Sequence, residues 1–231
     1  ELSVQGLPLD AFLPPPPAGQ PALRGRLTAT FKGDLASLEP REILRTISGD
    51  GRVQLSDAVI KDLNILREVF AKLSMLPGLM ERLQARLPQE YQAKFAMKDT
   101  VLAPVDLPVK LAAGTLQMDT LAVSTETFTL PGSGRVGLDG AVNIPATLRI
   151  DPALSEALVR SVSELQALNN SAGQMEIPLV IQGQAPQIAV APDMNYIASK
   201  VIAAAAADLL GDLLRKSLGD EQEEAVPQDA E

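Results

Sequence analysis

Residues 114–150 have the sequence GTLQMDTLAVSTETFTLPGSGRVGLDGAVNIPATLRI, and this stretch decides the fold. Apolar residues recur at every second position, as Leu116 and Met118 illustrate. A period of two is typical of strands that bury one face. Asp139 and Gly140 separate two such runs, and this dipeptide favours a two-residue hairpin turn. The centre of the chain is therefore predicted to be a meander of short antiparallel strands.

Three other segments show the spacing of helices that bury one side. Residues 63–87 carry the first apolar stripe, and Pro77–Gly78 is expected to kink or split that helix. Residues 151–168 and 193–218 carry the other two stripes. The predicted fold class is α+β, with a curved, mainly antiparallel β-sheet and flanking amphipathic helices.

The chain is predicted to form a single domain over residues 1–218, followed by an acidic disordered tail over residues 219–231. The tail contains six acidic residues and no basic one, and it accounts for most of the net charge of −9. Residues 1–22 are expected to hold a strand and a connector with four prolines at 14–17. A proline run of this kind serves either as a surface connector or as a motif for a proline-binding module.

The composition argues against several classes of function. The chain has no His, no Cys and no Trp, so it lacks thiolate chemistry, disulfides, Cys-zinc sites and the commonest general base. Aromatic residues are only 3%, and the charge is negative, which opposes binding to nucleic acid. We therefore expect a non-enzymatic protein with no cofactor, no metal site and no nucleic-acid partner.

Residues 132–137, GSGRVG, match the G-x-G-x-x-G pattern of dinucleotide-binding loops. That site needs a helix directly after the glycines, whereas an alternating strand pattern follows here. The glycines are therefore interpreted as turn and bulge positions of the sheet. The aspartates of the chain fall mostly at turns and caps, and they do not cluster at a known ligand spacing.

The order of these pieces resembles the C-terminal region of the AsmA family, a set of bacterial envelope proteins related in architecture to TamB. The segments that carry the resemblance are residues 7–14 (LPLDAFLP), 47–63 (ISGDGRVQLSDAVIKDL), 100–119, 130–139 (LPGSGRVGLD), 177–183 (IPLVIQG) and 191–193 (APD).

The resemblance implies a protein that faces the periplasm and is anchored to the inner membrane by a segment upstream of this sequence. It also implies a role in outer-membrane biogenesis, because related long members look like β-grooves that conduct phospholipid. The expected partner is a phospholipid or another acyl lipid. Other envelope proteins are further candidate partners, and the alternative function is a structural or docking module that binds one of them.

A curved sheet with one uncovered apolar face could shelter acyl chains, because burying each CH₂ stabilises the complex by about 0.8 kcal/mol. The candidate lipid-facing residues are the apolar positions of the alternating runs: Val53, Leu55, Leu116, Met118, Leu121, Val123, Val136 and Leu138. The alternative is that these side chains form a closed core beneath the helices.

Overall fold

The computed structural model describes residues 1–11, 20–35, 39, 42, 46–73, 75–185 and 187–220. Its strands are β1 (Leu2–Pro8), β2 (Ala22–Leu35), β3 (Ile47–Lys61), β4 (Thr100–Val101), β5 (Val105–Ala112), β6 (Thr115–Ser124), β7 (Phe128–Gly137), β8 (Ala141–Ile150), β9 (Glu176–Gln184) and β10 (Gln187–Pro192). Apart from the helical residues Glu42 and Thr46, the described helices are α1 (Ile65–Ala71), α2 (Leu79–Arg86), α3 (Gln89–Ala96), α4 (Pro152–Ser161) and α5 (Met194–Asp220), with 3₁₀ turns at Leu9–Ala11 and Ser163–Leu168.

The strands form one antiparallel sheet in the order β1-β2-β3-β5-β6-β7-β8-β9-β10, and the short β4 pairs with β3. Neighbours in the sheet are thus almost always neighbours in the chain. The sheet is open, since β1 and β10 lie at its two ends. This topology confirms the α+β class and the antiparallel meander, and it is consistent with the predicted curved sheet.

Alternation along the strands explains why they have one apolar face. In β5, Val105, Leu107 and Val109 are buried, whereas the intervening Asp106 and Lys110 are exposed. Successive side chains of a strand point to opposite faces, so this sequence places Val105, Leu107 and Val109 on the same side.

A β-bulge in β6 keeps that face continuous. The register to β7 shifts between Met118 and Leu121, so β6 has one residue more than β7 there. Without the extra residue, Leu116 and Met118 would face the opposite side from Leu121, because their spacing is odd. The bulge explains how Leu116 and Met118 before it share one face with Leu121 and Val123 after it.

The helices differ in part from the predicted ones. Residues 63–87 contain two short helices, α1 and α2, and the described residues between them include turns at 72, 75, 77 and 78. The 151–168 segment begins as α4, but Ser161 ends it and a 3₁₀ turn follows. Helix α3 was not predicted. Helix α5 continues to Asp220, two residues into the predicted tail.

The proline run at residues 14–17 and tail residues 221–231 lie outside the described residues.

Candidate functional site

The apolar face of the sheet is the candidate site, and cross-strand pairing makes it continuous. Val53 of β3 stands opposite Leu107 of β5, and Leu55 stands opposite Val105. Further along the sheet, Leu116 of β6 stands opposite Val136 of β7. Directly opposed side chains in antiparallel strands lie close enough to pack, so apolar rows run across the sheet.

Helices cover one end of this face. Phe128, Leu148 and Ile177 at that end are 0–4% exposed and belong to one large core with the helices. The helical and 3₁₀ residues of that core include Leu66, Phe70, Leu83, Leu154, Leu158, Leu165 and Ile197. We call this set the helix-covered core.

A second apolar cluster occupies the other part of the face. Its buried members, which we call the strand cluster, are Val105, Leu107, Val109, Met118 and Leu121, at 3–9% exposure. Half-buried residues from neighbouring strands pack around it: Val53, Leu55, Leu116, Val123, Val136 and Ile144. All of these residues lie on strands, and Val123 also contacts the helix-covered core. Among the described residues, only strand side chains take part in this cluster, and they bury one another.

Seven of the eight predicted lipid-facing residues lie in or around the strand cluster. Met118 and Leu121 are two of its buried members. The half-buried ones around it are Val53, Leu55, Leu116, Val123 and Val136. Leu138 lies apart, in the turn between β7 and β8, where 44% of it is exposed.

Three members of the strand cluster, Val105, Leu107 and Val109, were not predicted as site residues. Their alternation is visible in the sequence, but Pro104 and Pro108 obscured it, since proline is rare within central strands. Proline is tolerated at 108 because β5 is paired continuously only on its β3 side.

Ladder pairing between β5 and β6 is confined to their hairpin end, and one further hydrogen bond joins β6 to the residues just before β5. Three pairs adjoin the hairpin, from Lys110 opposite Gln117 to Ala112 opposite Thr115. At the far end, the Ala103 backbone N–H donates to the Ser124 oxygen over 2.8 Å. Between these points, the described residues of β5 and β6 form no ladder pair. The two strands that supply the whole strand cluster are thus joined less firmly than their neighbours.

Two glycines of β7 bring this strand close to β8. A Cβ atom on Gly132 would lie 2.7 Å from the Pro145 backbone oxygen, and one on Gly134 would lie 2.7 Å from that of Asn143. The Ile144 side chain would come within 2.8 Å of a Cβ atom on Gly134. Glycine is therefore required here by close approach of the neighbouring strand, and not by a nucleotide.

Charged groups occupy the opposite face of the sheet. Asp106 accepts hydrogen bonds from Arg52 Nε at 2.6 Å and Gln54 Nε2 at 3.1 Å. The Arg52 bond is the main reason why the pKa of Asp106 lies below its ordinary value. Arg149 pairs with Glu176 at 2.8 Å in the same manner. Because these strands alternate, the two faces are chemically distinct, one ionic and the other hydrocarbon.

Within the described residues, no three acidic side chains are grouped closely enough to hold a metal ion. None of the described helices combines the length and apolar character that a membrane crossing requires.

Comparisons with known proteins yield no match to a family model, to a curated protein or to a solved structure. The resemblance to the AsmA family stays a prediction from the sequence.

Proposed function

We propose that this chain is a non-enzymatic, AsmA-like domain of the cell envelope that shelters or passes phospholipid acyl chains along the apolar face of its sheet. The observation that carries the proposal is the strand cluster with its half-buried surround, because it is a continuous apolar cluster to which no described helix contributes. The proposal includes a periplasmic location and attachment to the inner membrane through an upstream segment.

A hydrocarbon chain suits this surface better than a polypeptide does. The side chains of the strand cluster and its surround offer no hydrogen-bonding group apart from the weakly accepting Met118 sulfur. A buried peptide group without a hydrogen-bond partner costs about 1–3 kcal/mol, whereas an acyl chain has no such group. Each CH₂ that contacts the face instead contributes about 0.8 kcal/mol.

The seam between β5 and β6 is where this surface would open. The strand cluster is closed to water, with Val105 3% and Met118 6% exposed, so its side chains must separate to admit a chain. Separation costs least where few backbone hydrogen bonds cross, which is between β5 and β6. Leu55, Leu116 and Val136 flank the seam and provide half-buried surface for first contact.

Extraction of lipid from the purified domain, followed by mass spectrometry, tests the proposal. We expect phospholipid to co-purify with the wild-type chain and to be largely lost from Leu116→Asp, which puts a charge on the half-buried surround. Gln117→Asp is the matched control, because Gln117 is the adjacent residue and is exposed on the ionic face. Circular dichroism verifies that both variants are folded.

Met118→Asp is less suitable, since Met118 is 6% exposed and a buried carboxylate would unfold the cluster. A wild-type protein free of lipid, or equal lipid recovery from Leu116→Asp and Gln117→Asp, would contradict the proposal.

A docking module for another envelope protein is the second candidate, and helix α5 favours it. Ile202 and Leu210 lie on this helix at 65% and 61% exposure, which is high for large apolar side chains. If docking is the function, Ile202→Glu should abolish cross-linking to the envelope partner and leave lipid content unchanged. If acyl-chain binding is the function, Ile202→Glu should leave lipid content and transfer unaffected.

A further inference from the structure

A separate cleft lies among helices α1, α2 and α3, away from the strand cluster. Its volume is about 700 Å³, within the range of roughly 300–1,000 Å³ that small-molecule sites occupy. The described residues that line it are Arg67, Met80, Leu83, Gln84, Leu87, Gln89, Gln92, Ala93, Phe95 and Ala96. We call it the helical cleft.

The floor of the helical cleft is apolar and firmly held. Leu83, Leu87 and Phe95 are 1%, 4% and 6% exposed, and all three belong to the helix-covered core. The Phe95 ring packs edge-on against Phe70, with the ring centres 5.5 Å apart and the planes at 80°. Met80 adds a half-buried, adaptable side chain to the wall. This floor offers a preformed surface for a hydrocarbon group.

The rim of the helical cleft has a single charge, and it is positive. Arg67 is exposed, and its guanidinium makes no ion pair or hydrogen bond among the described residues, whereas the adjacent Glu68 pairs with Lys72 at 2.8 Å. No acidic residue is part of the described lining. The other polar side chains are amides, of which Gln92 donates to the Leu87 oxygen over 2.7 Å. In a chain of net charge −9, an unpaired cation beside an apolar floor is distinctive.

We infer that the helical cleft binds an anionic amphiphile with one hydrocarbon chain, such as a fatty carboxylate or an alkyl phosphate. The guanidinium of Arg67 presents a planar fork of donors that matches carboxylate and phosphate oxygens. The hydrocarbon chain lies against the half-buried Met80, with the buried Leu83 and Phe95 beneath it. This inference does not rest on the proposed function of the sheet, because it concerns other residues and another ligand geometry.

Methyl NMR titration with dodecanoate, dodecyl phosphate and uncharged dodecanoyl glycerol tests the inference. We expect both anions to shift the methyl signals of Met80, Leu83 and Leu87. Arg67→Gln should weaken the binding of both anions about tenfold, since a charged hydrogen bond is lost, and should leave the glycerol ester unaffected. Tighter binding of dodecyl phosphate than of dodecanoate identifies a phosphate headgroup, and equal binding identifies a general anion site.

Two further variants make the outcome specific. Arg135→Gln is the matched control, because Arg135 is exposed on the sheet and lacks an ion pair in the described part of the chain. Ala93→Trp should block the helical cleft without removing a buried side chain, because Ala93 is exposed. The inference is overturned if neither anion shifts these methyl signals, or if Arg67→Gln and Arg135→Gln bind the anions equally. Shifts at Leu107 and Val109 instead would support the sheet site and reject the helical cleft.

Discussion

Lys72, the C-cap residue of α1, donates a hydrogen bond from its Nζ atom to the backbone oxygen of Val190 in β10, over 2.6 Å. The contact joins the helical layer to the sheet's last strand, whose one partner among the described strands is β9. An unpaired strand edge is a template for unwanted association, and a lysine placed on it blocks addition of another strand. Lys72 thus secures β10 and protects its open side.

Lys72→Met should loosen β10 while leaving the rest of the sheet intact. The variant keeps the apolar stem of the side chain but loses its charged donor, and we expect about 1 kcal/mol lower stability. Hydrogen exchange should speed up at Ile188 to Ala191 and remain unchanged at Leu148. Lys98→Met is the control, because Lys98 is exposed and makes no ion pair among the described residues. Equal exchange in both variants would contradict a structural role for the contact.

Gly134→Ala should destabilise the sheet between β7 and β8. Its Cβ atom would meet the Asn143 oxygen at 2.7 Å and Ile144 at 2.8 Å, and both lie on a strand that is paired on either side. Overpacking of this kind costs about 1–3 kcal/mol, measurable by urea denaturation. Ser133→Ala, at the adjacent exposed position, should change stability by less than about 0.5 kcal/mol. A neutral Gly134→Ala would show that the strands can move apart.

The strands of residues 114–150 were predictable because their alternation is a local property of the sequence. A hairpin forms at the predicted place, but its connection has three residues, Leu138 to Gly140, and not the predicted two, and the Gly140 N–H donates to the Gly137 oxygen over 2.9 Å. The residue pattern did not predict strand β5, because Pro104 and Pro108 argue against both a helix and a central strand. A proline is tolerated at position 108 because the pairing between β5 and β6 is interrupted there, and no local sequence pattern reveals that interruption.

The sequence also could not predict how the apolar face is divided between the helix-covered core and the strand cluster. Leu130 lies in the helix-covered core and Met118 in the strand cluster, yet both follow the same alternation. Which of them a helix covers is decided by tertiary packing. Helix α3, which provides Phe95, was hidden because its eight residues carry few apolar positions between Pro88 and Met97.

Asn64 is a buried polar residue whose side chain makes three hydrogen bonds. Its Oδ1 accepts from the Arg67 N–H at 2.9 Å and caps α1, and its Nδ2 donates to the oxygens of Lys94 and Met97. Asn64→Asp should lower stability by about 3 kcal/mol at neutral pH, since a buried carboxylate would face two carbonyl oxygens.

Asn64→Ser is the comparison for this position. It retains a cap acceptor and introduces no charge, so it should cost less than Asn64→Asp. Thermal unfolding distinguishes the two variants. The difference in stability between Asn64→Asp and Asn64→Ser should become smaller in acid, where the introduced aspartate is protonated. If Asn64→Ser lowered stability as much as Asn64→Asp at pH 7, loss of the two hydrogen bonds that Asn64 Nδ2 donates would explain the destabilisation without a charge effect.

Acid should weaken the contact between α2 and the 3₁₀ turn at Ser163–Leu168. Arg82 Nη1 donates to Glu164 Oε1 at 2.8 Å, and this hydrogen bond holds the pKa of Glu164 below its ordinary value of 4.5. A lowered folded-state pKa means that stability is present above pH 4.5 and is lost as the pH falls through the folded-state value.

Urea denaturation between pH 7 and pH 2 measures this dependence. Glu164→Gln should have a shallower loss of stability below pH 4.5 than the wild type, although the effect is small because the pair is partly exposed. Glu156→Gln is the control, since the pair of Glu156 with Arg160 is more exposed. A steeper acid loss in Glu164→Gln than in the wild type would contradict the lowered pKa of Glu164.

The most direct test of the sheet as an acyl-chain site is paramagnetic broadening by a phospholipid with a spin label near the end of its acyl chain. We predict broadening of the methyl signals of Leu55, Leu116 and Val136, which surround the strand cluster. The signals of Leu154 and Leu158, fully buried in the helix-covered core, should stay sharp. Sharp signals at Leu55, Leu116 and Val136 with the lipid present would contradict the central claim.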